Sequence, residues 1–158
     1  MSDIRPFTLD VTQRELEALY HKLDAVRWPE KEPVDGWTQG TPLAALQELV
    51  AYWRTQYDWR RCEKRLYDFG QFTTEIDGLD VHFLHVKSPH EGALPLILTH
   101  GWPGSVIEFF DVIPRLTNPT EHGGTADQAF HVVAPSLPGF GFSGKPRKTG
   151  WGVEKIAA

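Results

Sequence analysis

The 158-residue sequence predicts an α/β fold in which a helical segment precedes a mixed sheet. Three observations carry that prediction. Apolar residues recur at helical spacing through residues 12–69, and at Phe72 the pattern changes to that of strands. Asp77-Gly78 joins two runs rich in β-branched and aromatic residues, a strong two-residue hairpin signal. Two short apolar runs, 96–99 and 130–134, are each followed by a turn-rich loop and a helix signal, as in a parallel crossover.

Thr12 with Glu15 three residues on forms a capping box, and Leu16, Leu19, Tyr20, Leu23 and Val26 then share a helical face. Pro29 ends that helix. Residues 29–40 hold Pro29, Pro33, Gly36 and Gly40 and read as an extended connection carrying Trp37. Thr41 is the expected cap of a second helix with Pro42 at its first position. Its expected buried stripe is Leu43, Leu46, Leu49, Val50, Trp53 and Tyr57. Asp58 caps a third helix from Trp59 to Phe69, and Gly70 stops it. Three short helices cannot bury this aromatic load among themselves, so they are expected to pack on the sheet or on further chain.

Phe72–Ile76 and Leu79–Val86 read as hairpin strands. Leu96–Thr99 reads as a strand buried on both faces. Ser105-Val106-Ile107-Glu108 is a second capping-box pattern, expected to open a helix through Leu116. Residues 117–129 form a polar loop, Phe130–Ala134 another buried strand, and Pro135–Gly150 a Gly/Pro-rich loop. Trp151–Ala158 begins a helix. The organisation expected is a helical extension over 1–70 and the first strands and helices of the sheet over 71–158.

Composition narrows the function. Hydrophobic residues make up 41% and charged residues 23%, as in a globular domain, and the net charge of −5 gives no reason to expect a nucleic acid or an anionic membrane as partner. Cys62 is the single cysteine, so no internal disulfide forms and a reducing compartment fits. Residues 1–6 carry no apolar signal core, and a cytoplasmic location is the expectation.

The candidate site is His100-Gly101-Trp102-Pro103-Gly104-Ser105. Gly101 and Gly104 allow a tight turn and close approach of a ligand, and Pro103 stiffens the loop. The Trp102–Pro103 amide is one that can adopt the cis form. Backbone N–H groups beside a helix start suit developing negative charge. His100, Gly101, Pro103 and Gly104 are expected to set the loop geometry.

These residues resemble the N-terminal part of the microsomal-type epoxide hydrolases, the branch that includes the juvenile-hormone epoxide hydrolases. Tyr52-Trp53-Arg54 and Tyr57-Asp58-Trp59-Arg60 are similar to that family's helical extension. Ile76-Asp77-Gly78-Leu79 with His82-Phe83-Leu84-His85-Val86 resembles its first hairpin. Residues 100–105 resemble its oxyanion loop, and Pro135–Ser143 its glycine-rich loop; the resemblance implies that the Trp102 backbone N–H is an oxyanion donor. The resemblance implies an N-terminal extension and the first half of an α/β-hydrolase mixed sheet. It also implies a reaction in which an Asp opens an epoxide to an ester and a His with an acidic partner activates the water that cleaves it. Its substrate would be a small apolar epoxide, with no cofactor. His-Gly-x-Pro is shared with haloalkane dehalogenases and other hydrolases, so a dehalogenase or esterase of the same fold is the alternative enzyme. A non-catalytic binding or scaffold module is the alternative of another class.

The residues themselves hold no Gly-x-Ser-x-Gly or Gly-x-Asp-x-Gly elbow. In this fold the nucleophile, acid and base follow the oxyanion loop. The expectation is therefore a chain truncated before the elbow, without nucleophile, base or acid, and inactive by itself. Ser105 reads as an N-cap and not a nucleophile, and Glu108 and Asp111 read as solvated. His82 and His85, three apart on a strand, point to opposite faces and cannot share a metal; His21, His90, His122 and His131 show no ligand spacing, so no metal is expected. Residues 139–144 formally match G-x-G-x-x-G, but Pro138 and Pro146 break the strand–turn–helix context that nucleotide binding needs. An unpaired sheet edge is expected beside Phe130–Ala134, where association or homodimerisation would occur.

Overall fold

The computed structural model of the chain describes residues 3–158. By internal contacts it divides into two units, Leu9–Cys62 and the N-terminal segment to Thr8 together with Glu63–Ala158.

In the first of these, α1 spans Gln13–Asp24. The capping box is formed: the Glu15 N–H donates to Thr12 Oγ1 at 3.3 Å, and the Thr12 N–H donates to the Glu15 carboxylate at 2.8 Å. The last turn closes at Ala25, so Val26, expected on the helical face, lies beyond the helix and is exposed; Pro29 disfavours helical backbone at the residue before it. Helix α2 spans Leu43–Thr55 with Pro42, not Thr41, as its N-cap. The acceptor comes from elsewhere, because the Leu43 N–H donates to the Glu32 carboxylate at 3.0 Å. A carboxylate there also meets the positive end of the helix dipole. The expected buried stripe of α2 is not buried. No residue of α2 is fully enclosed, and Leu49 is 59% exposed. The apolar faces of α1 and α2 line an open cavity of about 430 Å³ with Tyr57 and Trp59 instead of closing into a core. The two helices are tied at one point, where Arg54 Nε donates to Asp24 at 2.8 Å and the guanidinium lies 5.1 Å from the Tyr20 ring centre.

Helix α3, Trp59–Asp68, leads from one unit into the other. Asp58 Oδ1 accepts the Arg60 N–H, and Gly70 ends the run at φ +68°.

The second unit holds a five-stranded sheet of order β1-β2-β3-β5-β4. Its strands are β1 Arg5–Pro6, β2 Gln71–Ile76, β3 Leu79–Val86, β4 Leu94–Ile97 and β5 Phe130–Pro135. Strand β1, within the stretch expected to be helical, pairs antiparallel with β2. The β2–β3 hairpin turns at Asp77 and Gly78, both with positive φ, the geometry for which Asp-Gly is suited. Strand β5 lies between β3 and β4, antiparallel to the first and parallel to the second.

That order corrects two expectations. Among the described residues the edges of the sheet are the two-residue β1 and β4, and not the strand at Phe130–Ala134, because β5 inserts between the hairpin and β4. The run read as a doubly buried strand over 96–99 is instead the edge strand Leu94–Ile97, with Leu94 and Ile97 exposed.

The helix expected from Ser105 to Leu116 is also interrupted. A 3-10 turn covers Val106–Phe109, and α4 covers only Ile113–Thr117. Pro114 has no N–H to donate and its ring crowds the carbonyl one turn earlier, so one continuous helix cannot form. The polar loop 117–129 contains two further 3-10 turns. Helix α5, Val153–Ala157, follows the Gly/Pro-rich loop. The core of this unit is Leu66, Leu84, Val106, Ile113, Val132 and Ala134, each almost wholly enclosed. Among the described residues, no helix is long and apolar enough to cross a membrane.

Candidate functional site

Because β4 and β5 are parallel, the loops that leave them emerge at the same end of the sheet, where ligands bind in open α/β sheets. One loop is 98–105 and the other 136–144. They meet at His100, which is 3% exposed. The Leu137 backbone N–H donates to His100 Nε2 at 3.1 Å, and His100 Nδ1 lies 3.0 Å from the Gly101 carbonyl oxygen. A backbone N–H can only donate, so Nε2 carries a lone pair and Nδ1 carries the proton that bonds the Gly101 carbonyl. Phe140 packs edge-on against the same ring, with centroids 5.6 Å apart.

The other end of the turn is held by a second capping box. The Ser105 N–H donates to Glu108 Oε1 at 3.1 Å, and the Ile107 N–H donates to Ser105 Oγ at 3.3 Å. This bond explains Gly104. A Cβ there would lie 1.8 Å from Glu108 Oε1 and 2.7 Å from the Gly101 carbonyl oxygen. Gly101 differs: a Cβ on it would meet open space, and its φ is not positive, so the fold itself makes no demand for glycine. Between these anchors the Trp102–Pro103 bond is cis. Trp102 is 83% exposed, and its backbone N–H has no acceptor among the described residues. Ser105 is thus engaged as a cap. Glu108 is exposed, yet its carboxylate is committed to the loop.

A second polar cluster, which sequence reasoning missed, lies beneath the glycine-rich loop. His82 on β3 is fully buried. Its Nε2–H donates to Gln71 Oε1 at 3.1 Å, and Nδ1 accepts from Ser136 Oγ at 2.9 Å. The His82 N–H donates to Ser143 Oγ, and Ser143 Oγ donates to the Ser136 carbonyl at 2.6 Å. Phe7 and Phe142 enclose the ring. Burial pushes the imidazole down to about 4, so His82 is neutral. The network pins loop 136–144 to the hairpin, and through Leu137 it sets where His100 sits. The sequence signal was a histidine among Val81, Phe83 and Leu84 in a strand with both faces enclosed, where a polar side chain needs partners.

Two glycines of the G-x-G-x-x-G match serve this packing. A Cβ on Gly141 would lie 2.9 Å from Ser136 Oγ, and one on Gly144 would lie 2.9 Å from Leu79 Cδ1. His85 shares no centre with His82, and burial together with Lys87 and His131 lowers its pKa. Among the described residues no cluster of His, Cys, Asp or Glu is arranged to hold a metal.

Comparison with known proteins places these loops in context. The family model described as the epoxide hydrolase N terminus matches residues 4–109. A protein of Stigmatella aurantiaca that carries the provisional name epoxide hydrolase is 60% identical over 154 residues, covering 98% of this chain and 35% of the relative. Epoxide hydrolase 1 of Oryctolagus cuniculus is 37% identical over 94% of this chain and 33% of its own length. The crystal structure of juvenile hormone epoxide hydrolase from Bombyx mori superposes with a TM-score of 0.86 at 32% identity, covering 99% of this chain and 37% of that one. The chain spans about a third of the length of the curated relatives it matches.

Proposed function

The chain belongs to the epoxide hydrolase N-terminus family, and from that premise we propose that it is the oxyanion-loop part of an enzyme opening epoxides to vicinal diols. The reaction has two halves. A carboxylate attacks an epoxide carbon, the C–O bond breaks, and an alkyl ester and an alkoxide form; the alkoxide takes a proton. Activated water then adds to the ester carbonyl, and negative charge collects on its oxygen. A preorganised N–H aimed at that oxygen acts in the second half. The Trp102 backbone N–H is the donor in this reading. His100, Gly101, Pro103 and Gly104 hold the turn that presents it.

One observation carries the proposal: an acceptor-free Trp102 N–H on a turn anchored at both ends, beside the carboxyl ends of two parallel strands. No elbow that would carry the carboxylate nucleophile occurs in these 158 residues, so residues 1–158 alone do not turn over epoxides. The substrate is a small apolar epoxide. For the isolated chain, the unpaired β4 edge favours self-association.

The test is a hybrid in which residues 1–158 replace the matched stretch of the Stigmatella aurantiaca relative. It is assayed on styrene oxide with and without an amide-to-ester change that removes the residue-102 N–H and also weakens the Gly101 carbonyl as an acceptor. Loss of that donor is expected to lower kcat roughly a hundredfold to a thousandfold. An inactive native-sequence hybrid that is folded, or unchanged kcat in the ester variant, would overturn the reading.

A further inference from the structure

We propose that His100 is a positioning residue that aims and polarises the oxyanion peptide through a relay starting at the Leu137 N–H. The inference rests on the reading that the Trp102 N–H is the oxyanion donor.

The geometry of one peptide bond carries it. The Gly101 carbonyl and the Trp102 N–H belong to the same planar unit and point in opposite directions when that unit is trans. The single cis bond among the described residues is the next one, Trp102–Pro103. Whatever holds the Gly101 carbonyl therefore fixes the direction of the Trp102 N–H. That holder is His100 Nδ1–H, 3.0 Å away. Its proton is placed by the Leu137 N–H, which occupies the Nε2 lone pair at 3.1 Å and leaves no other neutral tautomer. Leu137 is in turn placed by the Ser136–His82–Ser143 network beneath it.

The relay also changes the strength of the donor. A hydrogen bond accepted by a peptide carbonyl draws electron density from the same amide and makes its N–H a better donor. The chain of bonds runs from Leu137 N–H to the imidazole, through the Gly101–Trp102 peptide, to the developing negative oxygen. His100 touches no reacting atom and carries no proton to or from substrate. It is 3% exposed, with both ring nitrogens occupied.

The relay predicts a distinct pattern of variants in the same hybrid enzyme. Asn places an amide N–H close to the position of Nδ1, whereas Gln places its polar group near Nε2. His100→Ala and His100→Gln are expected to lower kcat roughly tenfold or more with KM within about threefold, and His100→Asn to recover most of the loss. Ester hydrolysis is the slowed step, so the alkyl-enzyme ester accumulates in single-turnover experiments on the Ala and Gln variants. NMR of isotope-labelled histidine, with His100 assigned by its loss in His100→Asn, is expected to show the proton on Nδ1. The proposal is overturned if Asn is no better than Ala while both variants are folded, if ester hydrolysis is unaffected, or if the proton resides on Nε2. The amide-to-ester change at 102 separates the two ideas. If it leaves kcat unchanged, the oxyanion reading itself fails. If it lowers kcat while the His100 variants behave alike, only the relay fails.

Discussion

His82 makes stability depend on pH in a window that can be worked out in advance. Its imidazole is fully buried, and burial lowers its pKa from the ordinary 6.5 to about 4. Between those values the unfolded chain binds a proton that the folded chain refuses. Stability therefore rises with pH through the window, is complete above the unfolded value, and falls as the solution is acidified. The full shift corresponds to about 3 kcal/mol, and the part lost between pH 7 and pH 5 is about 2 kcal/mol. The assay is urea denaturation of the chain at a series of pH values, beside His82→Gln, which cannot titrate. The variant forfeits part of the Gln71–His82–Ser136 network and starts less stable by ~1–3 kcal/mol. Its pH slope between 7 and 5 should nonetheless be shallower by about 2 kcal/mol. Other groups, His85 among them, titrate in both proteins and cancel in the comparison. Equal slopes would refute the argument, as would an NMR titration placing the folded His82 near its ordinary value.

Other consequences follow from the loop anchors and the sheet edge. Gly104→Ala forces a Cβ into the Glu108 carboxylate and the Gly101 carbonyl; a loss of ~1–3 kcal/mol in thermal or urea unfolding is expected, with reduced kcat in the hybrid enzyme. Ser105→Ala removes a cap and no nucleophile, so about 1 kcal/mol of stability is lost while kcat stays within roughly threefold. A kcat loss near that of a removed nucleophile would contradict this. Ile97→Lys sets a charge on the exposed β4 edge and should lower the self-association of 1–158, measured by sedimentation over a concentration series. Unchanged association would show that the edge is not the contact.

What the sequence determined is what local chemistry fixes. Thr12 with Glu15 and Ser105 with Glu108 cap their helical turns because the bonds span three residues of the same chain segment. Asp77-Gly78 turns the hairpin because two successive residues must accept positive φ. The motif at 100–105 marked the candidate site for a related reason, since its glycines and proline restrict the loop locally. Tertiary structure decided what depends on distant partners. Strand β5 inserts beside β3, so β4 becomes an edge, and no periodicity encodes that order. The cap of α2 came from Glu32, eleven residues away, and not from the adjacent Thr41. The apolar pattern of α2 gave the face correctly but not its burial, because burial needs a second surface and the pattern names none. His82 and His100 each looked like a lone histidine. Their tautomers are set by Gln71, Ser136 and Leu137, residues 11, 54 and 37 positions away along the chain; the β2–β3 hairpin brings up the first, and the other two come within hydrogen-bond distance only when β5 and its loop fold against the hairpin and β4.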